Sequence, residues 1–165
     1  MYTLNTSVDT VVDALKTFLT PFCGGATIVR SQRNRVSLPP SPCVVLTDIL
    51  ETDLSIPYVQ YLSSTMESVK TSTRIDVQVD FYGALSSDYC RAVKSAIRSG
   101  FGFDMFPSNI KPLYASDGFN MPLIMGEHQY ESRYVLTISM QYNPSFIVPQ
   151  SSTSAVAPNS PIPIF

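Results

Sequence analysis

The residues best suited to nucleophilic chemistry are three cysteines and a single histidine. They are Cys23, Cys43, Cys90 and His128. A thiol nucleophile needs a base within hydrogen-bond reach, so a small hydrolase would have to pair Cys23 or Cys90 with His128. The simpler interpretation is a polar histidine at the mouth of a strand and free thiols in a reducing cytoplasm. We predict no catalysis, no cofactor and no metal, because one histidine and scattered carboxylates lack the spacing of a metal site.

Carboxylates gather at the end of one apolar run. Asp48, Glu51 and Asp53 follow the residues "CVVLT". Paired carboxylates can do acid–base work or hold Mg²⁺. A strand that becomes solvated as it leaves a sheet accounts for the same pattern and is the preferred interpretation.

A second polar group lies on the segment "STRIDVQVDFYG", residues 72–83, where apolar and polar residues alternate. Alternation places Arg74, Asp76 and Asp80 on one face of a strand and the apolar residues on the other. We interpret these three residues as a polar sheet face or a subunit contact and not as a catalytic dyad.

Three arginines, Arg30, Arg33 and Arg35, lie in or beside a proline-rich loop, residues 32–42. Without interleaved aromatic residues they are a weak signal for nucleic-acid binding. A solubilising loop is the preferred interpretation. The alternative is a cationic finger that contacts acidic groups of a neighbouring subunit or passing DNA.

The composition restricts the class of protein. The chain has 165 residues, a net charge of −2 and only 15% charged residues. It lacks the basic footprint of a dedicated nucleic-acid binder, and no apolar run approaches the length of a membrane span. Low charge favours a surface that a partner covers, so we expect an oligomer and no membrane partner.

The hydrophobic periodicity predicts an α+β fold, with a mixed, mainly antiparallel sheet flanked by two main helices. The predicted helices cover 7–20 and 86–99, the second stopped by Gly100 and Gly102 and capped by Ser86, Ser87 or Asp88. The predicted strands are 26–31, 43–55, two within 57–83 separated by a polar turn near 66–72, and 131–143.

Residues 103–125 are too apolar for a mobile loop and too interrupted by proline and glycine for a helix. Part of this segment must cover the core. The rest is predicted to be an exposed patch for a partner. Its candidate contact residues are Phe119, Met121, Leu123 and Ile124.

The chain changes character near its end. Residues 146–165 carry no charged side chain and several prolines, so we predict a domain over 1–145 and an extended tail over 146–165. The apolar end of that tail, with Ile162 and Phe165, can add a strand to a neighbouring sheet edge. Simple disorder is the alternative.

The order "STRIDVQVDFYG", a helix, "KPLYA" and "MPLIMGEHQYESRYVLTISMQYNP", followed by Pro149-Gln150, resembles the neck or tail terminator proteins of contractile-tailed phages and prophages. The resemblance is best over about 73–150. It implies a small domain with helices packed on a sheet, without catalysis or cofactor. It also implies a ring, usually a hexamer, at the head-proximal end of the tail.

By the same resemblance, the ring stops polymerisation of the tail tube and often of the sheath, and then presents a surface to the connector proteins. DNA only passes through its lumen. The protein would be a virion component assembled in the host cytoplasm. The irregular segment 103–125 is expected to supply one ring contact, and the polar face of 74–82 or the edge of 131–142 the other.

Three alternatives remain at this point. The closest is another neck ring, a head-completion or stopper protein. A monomeric, host-directed binding module and the small hydrolase are the others.

Overall fold

The computed structural model describes residues 2–31, 37–124 and 130–150. The helices are α1 (Val8–Leu19), α2 (Ser86–Ile97) and α3 (Gly100–Met105). The strands are β1 (Thr27–Arg30), β2 (Cys43–Asp53), β3 (Tyr58–Tyr61), β4 (Met66–Lys70), β5 (Thr73–Tyr82), β6 (Ile110–Ala115), β7 (Phe119–Asn120), β8 (Leu123–Ile124), β9 (Tyr130–Glu131), β10 (Arg133–Tyr142) and β11 (Ser145–Pro149).

These strands form two sheets and a short pair. The main sheet has the order β1-β2-β5-β10-β6, with β7 also beside β10. A second sheet, here called the arm sheet, has the order β11-β4-β3, and β8 pairs with β9. Only the β1–β2 pairing is parallel among the described strands. The predicted α+β class with a mainly antiparallel sheet is confirmed.

Helix α1 begins where its sequence predicts. The Ser7 side chain accepts from the Thr10 backbone N–H, and the Thr10 side chain accepts from the Ser7 N–H, so two orphan donors are satisfied. The apolar stripe of the helix includes Leu15 and Leu19, both fully buried. The amphipathic helix predicted over 7–20 is therefore confirmed.

The two well-alternating segments are the centre of the main sheet. Strands β5 and β10 pair in one uninterrupted antiparallel register from Thr73↔Tyr142 to Tyr82↔Arg133. On one face Val77 and Ile138 are fully buried, in a core that also contains the apolar stripes of α1 and α2. Both main helices therefore cover the same face of the sheet.

The helix predicted over 86–99 is confirmed as α2, which ends at Ile97, but the residues predicted to cap and stop it are wrong. Leu85 is the N-cap and, as a leucine, has no side-chain atom that could cap the helix. The Ser86 hydroxyl, which was expected to cap it, is hydrogen-bonded to Ser132 Oγ at 2.8 Å. Gly100 and Gly102 do not terminate α2, which ends before them at Ile97. They lie instead within α3, which begins at Gly100. At Gly102 an added Cβ would lie 2.2 Å from the Ala96 carbonyl oxygen, so the glycine allows α3 to turn back closely against α2.

The segment 57–83 holds three strands instead of the predicted two. Met66–Lys70, predicted as a polar turn, is strand β4. It pairs with β3 on one side and β11 on the other. No helix of the described chain covers this arm sheet, so polar side chains are tolerated on both of its faces and the strand lacks a clear alternation.

The arm sheet is a continuation of the main sheet. Strand β2 leads into β3, β4 leads into β5, and β10 leads into β11. The Leu54 N–H donates to the Ser72 carbonyl at 2.7 Å, and the Thr71 N–H donates to the Pro144 carbonyl at 3.1 Å. These bonds join the two sheets across the break.

The predicted boundary of the tail falls inside a strand. Residues 146–149 belong to β11, which pairs with β4 from Ser145↔Lys70 to Pro149↔Met66. The edge that this part of the chain extends is therefore that of its own arm sheet. The remainder of the predicted tail, 151–165, lies outside the described residues, and the division into domain and tail stays a prediction.

Candidate interaction surfaces

The three thiols are poor nucleophiles. Cys23, Cys43 and Cys90 are each at most 3% exposed. Burial raises the pKa of the Cys23 thiol to about 12 and also raises the pKa values of Cys43 and Cys90. A buried thiol that stays protonated at neutral pH is the opposite of an activated one. His128, the base of the hydrolase hypothesis, lies outside the described residues.

The three carboxylates at the end of β2 do not form a common site, because each binds a different partner. Asp48 accepts from Arg30 Nη2 at 3.0 Å, Asp53 accepts from Thr73 Oγ1 at 3.3 Å, and Glu51 accepts from the hydroxyl of Tyr142. Burial and the neighbouring carboxylates of Glu51 and Asp53 raise the pKa of Tyr142. Among residues 2–31, 37–124 and 130–150, no group of three His, Cys, Asp or Glu could hold a metal ion.

The polar face of β5 is largely occupied by its own neighbours. Asp80 is 4% exposed and accepts from Arg133 Nε and Nη2 at 3.0 and 2.8 Å. Gln78 Nε2 also donates to Asp80, at 3.0 Å. Asp76 accepts from Ser139 Oγ at 2.6 Å, and Arg74 Nε lies 3.4 Å from Asp76 Oδ1.

For Asp76 and Asp80 this face is therefore an internal ladder of bonds to β10 and within β5, with little polar capacity left for a partner. Arg74 Nε, in contrast, is buried with no hydrogen-bond partner among the described residues. The edge of 131–142 is not free either. Strand β10 pairs with β5 along its whole length and with β6 and β7 on its other side. Use of the polar face as a subunit contact stays a prediction.

The arginines divide between the body and the undescribed loop. Arg30 joins the first turn of α1 to β2, because it pairs with both Asp9 and Asp48. An arginine held by two carboxylates fastens the helix to the sheet edge. Arg33 and Arg35 lie outside the described residues.

The described part of this segment, 103–124, is divided between core and surface as predicted, and its use by a partner stays a prediction. Phe106, Ile110 and Ala115 are buried in the core. The candidate contact residues Phe119, Met121 and Ile124 are 50%, 46% and 67% exposed, whereas Leu123 packs against a second small cluster of Cys43, Val45 and Tyr82. The exposed apolar group continues onto α3 and β6 through Phe101, Phe103, Met105, Leu113 and Tyr114.

The other exposed apolar surface runs along β2 and the arm sheet, and the sequence analysis missed it. Every residue from Asp48 to Met66 is exposed. The large apolar ones are Ile49, Leu50, Leu54, Ile56, Tyr58, Val59, Tyr61, Leu62 and Met66. Contiguous apolar exposure on this scale is typical of an interaction surface.

A signal for this surface exists in the sequence. Residues 47–62 hold eight large apolar residues yet show neither helical nor strand periodicity against a nearby core. Apolar residues without a periodic buried face can be covered only by another molecule or by a distant segment. Assigning strands to 43–55 and to two parts of 57–83 does not by itself reveal that the apolar residues of 47–62 have no core to pack against.

The candidate Ile162 and Phe165 lie outside the described residues. None of the helices in the described part of the chain is long and apolar enough to cross a membrane.

Comparison with known proteins identifies the family. No curated protein matches this chain. Residues 9–161 match the family described as phage neck terminator protein, which extends well beyond the 73–150 over which the resemblance is best. The resemblance is therefore confirmed, and the chain belongs to the phage neck terminator protein family, as a structural component of the virion where neck and tail join.

Proposed function

We propose that the chain forms a ring at the head-proximal end of a phage tail, ends the polymerisation of the tail tube there, and joins the tail to the connector proteins of the neck. The family match over 9–161 carries this proposal. A hexamer is the ring expected for such a protein, and the sheath is a second polymer that it would cap. Assembly would take place in the host cytoplasm.

The exposed apolar surfaces of the chain support its proposed role as a subunit of a ring. Two exposed apolar surfaces, one on the arm sheet and one around α3 and β6, are present on a single domain. A ring of identical subunits needs two different patches on each subunit, because its contacts are heterologous. A monomeric binding module needs only one.

The charge of the chain supports passive passage of DNA. With a net charge of −2, a ring of this chain would make few contacts with phosphates, and each such contact strengthens DNA binding. DNA would therefore slide through the lumen during ejection without being retained.

A stopper or other neck ring is the nearest alternative, since it would use the same kind of subunit with different neighbours. The two differ in what the ring caps. A terminator binds the ends of tail tubes in the absence of connector proteins, whereas a stopper binds connector proteins in the absence of tubes.

The proposal is tested by native mass spectrometry of the purified chain, alone and with tail tubes, together with negative-stain images. We expect a closed ring, or a monomer that becomes a ring on the tube ends. A monomer that ignores tail tubes and connector proteins would overturn the proposal and favour the binding module. His128→Ala should leave assembly unchanged, whereas it would abolish turnover in the hydrolase alternative.

A further inference from the structure

We infer that the ring is closed by opposite edges of the main sheet, so that the free part of β2 in one subunit contacts the β6 side of the next. This inference rests on the proposed ring. The first surface, the arm edge, consists of residues 47–62. The second surface, the β6 edge, consists of β6 with Phe101 and Phe103 of α3. The occupant of each surface is a second copy of this chain.

The arm edge is an uncovered sheet edge. Strand β1 pairs only with Cys43–Leu46 of β2, and the last bond on that side is from the Ser31 N–H to the Leu46 carbonyl at 2.8 Å. Among residues 2–31, 37–124 and 130–150, no strand and no further backbone bond from the β1 side follows on the outer side of β2 beyond Leu46, and β3 pairs with β4 alone. A long apolar edge left open in this way is the kind that pairs with another chain.

The β6 edge presents apolar side chains in place of backbone groups. Pro112 lacks an N–H, and the register shift opposite Ser139 and Met140 leaves Leu113 as the extra residue of a bulge. Leu113 and Tyr114 are consequently both exposed, at 47% and 54%. This edge therefore docks by its side chains and not by adding a strand.

The two edges lie at the same level of the sheet on opposite sides. One row of paired residues runs through Leu50, Asp76, Ser139 and Tyr114, and the next but one runs through Thr52, Arg74, Gln141 and Lys111. With two strands between them, β2 and β6 are about 14 Å apart. Patches at equal height on opposite sides allow head-to-tail subunits to close a flat ring without a helical rise.

The charges around the two edges are complementary. The arm edge contains Asp48, Glu51 and Asp53 and no lysine or arginine. Among the described residues, Glu51 and Asp53 have no ion-pair partner.

On the β6 edge, Lys111 Nζ lies 4.3 Å from the centroid of the Phe103 ring and donates to the Phe103 and Phe106 carbonyls. Arg98 lies 5.0 Å from the centroid of the Tyr114 ring and pairs with Asp117. An arm edge that carries carboxylates alone thus faces an edge where Lys111 and Arg98 lie among the aromatic side chains, beside the carboxylates of Asp104 and Asp117. Opposite potentials of this kind favour the head-to-tail pairing over the pairing of two like edges.

The test introduces one new charge on each side of the predicted contact. Leu50→Lys places a cation opposite Lys111 and Arg98, and Leu113→Glu places a carboxylate opposite Glu51 and Asp53. Both leucines are about half exposed, at 52% and 47%, so neither change opens the core. Each single variant should raise the concentration needed for assembly at least tenfold in sedimentation or native mass spectrometry, and the double variant should recover most of that loss.

A matched control and a direct contact measurement complete the test. Leu85→Glu alters a leucine that is 50% exposed outside both edges, and it should assemble like the wild type. Leu50→Cys combined with Leu113→Cys should give cross-linked chains up to the ring number under oxidation, whereas either cysteine alone should give none.

The outcomes separate the two proposals. Rings of wild-type chain that persist unchanged in both single variants would overturn the edge contact and leave the proposed function standing. Loss of assembly in both single variants without recovery in the double variant would also overturn the complementary pairing. A wild-type chain that never assembles would overturn the proposed function, and the edge contact with it.

Discussion

The same three strands pass through two different environments in this molecule. In the main sheet, β2, β5 and β10 lie under two helices, and Val77 and Leu136 are fully buried. In the arm sheet, their continuations β3, β4 and β11 are paired just as regularly, but Tyr58 and Tyr61 are 60% and 69% exposed. Backbone pairing is common to both regions, and burial is not.

This difference separates folding from assembly. Strand pairing alone contributes little net stability, because the unfolded chain makes the same bonds to water. The main sheet is stable because its apolar face is removed from water. The arm sheet is held by the continuity of its strands and by the N-terminal segment, where the Asn5 N–H donates to the Ser145 carbonyl at 2.9 Å and Tyr2 contacts the Phe146 ring.

The sharpest contrast is between one aromatic residue in each region. Phe81 is fully buried in the main sheet, whereas Tyr61 is 69% exposed on the arm. Phe81→Ala should lower the free energy of unfolding by about 3–5 kcal/mol through lost burial and a cavity. Tyr61→Ala should change it by less than about 0.5 kcal/mol. Equal losses in urea denaturation would remove the distinction between the two regions.

The next largest expected effect compares a carboxylate of the main sheet, Asp80, with one of the arm sheet, Glu67. Asp80→Ala leaves the guanidinium of Arg133 without its carboxylate partner, in a site where Asp80 is only 4% exposed. We expect a loss of about 3 kcal/mol, because breaking a buried pair strands a charge. Glu67→Ala in the arm sheet should cost less than about 0.5 kcal/mol. A neutral Asp80→Ala in the same thermal and urea unfolding curves would contradict the view of the polar face as an internal ladder.

A smaller effect tests whether α3 belongs to the folded body despite its exposed phenylalanines. Gly102→Ala would place a Cβ 2.2 Å from the Ala96 carbonyl oxygen, whereas a Cβ at Gly100 would have no described atom within 4 Å apart from its chain neighbours and the backbone of its own helix. Gly102→Ala should therefore cost about 1–3 kcal/mol as α3 is forced away from α2. Gly100→Ala should be neutral or slightly stabilising. Proteolysis at 98–106 provides a second readout, since only the first variant should be cut faster than the wild type.

The last effect is a pH dependence that arises from a thiol buried in the body. A thiol whose pKa is raised by folding stabilises the native state fully below its unfolded pKa, and that contribution is lost as the pH rises above it. Burial raises the pKa of Cys23 to about 12, against about 8.5 in an unfolded chain. The free energy of unfolding should therefore fall above about pH 9, by up to about 1.4 kcal/mol per pH unit for each such thiol.

Cys23→Ala should flatten this alkaline decline, although the variant itself is less stable at pH 7. Denaturation midpoints between pH 7 and pH 10.5 report the slope. Parallel curves for wild type and variant would show that Cys23 does not contribute. The buried Tyr82 and Tyr142, whose pKa values are also raised, should maintain part of the decline in both proteins.

Much of the body could be predicted from the sequence. In helix α1 and in strands β5 and β10, apolar residues recur at the regular period that places them on one buried face. That periodicity is a local property of the chain. The fold class follows from these elements. The family follows from the order of the segments around them, and it implies a structural protein of the phage neck.

The rest depends on neighbours that periodicity does not encode. Strand β4 is covered by no helix of the described chain and carries a polar residue even at its buried position, Ser68, so its sequence resembles a turn. Ser86 was expected to cap a helix, but its hydroxyl bonds to Ser132 on a strand remote in sequence. The arm edge could not be predicted from periodicity, because the sheet topology decides which strand edges are left open. Here the pairing of β1 with β2 ends at Leu46.

In this molecule the body folds the chain, and we expect the two edges to assemble it. Hydrogen–deuterium exchange tests this directly when the free chain is compared with the assembled ring, the Leu50→Lys variant serving as the free form if the wild type is always assembled. We predict new protection in 47–62 and in 100–115, with amides of α1, β5 and β10 protected equally in both states. Protection gained elsewhere, with both edges exchanging as fast in the ring as in the free chain, would show that the two edges do not form the ring contact.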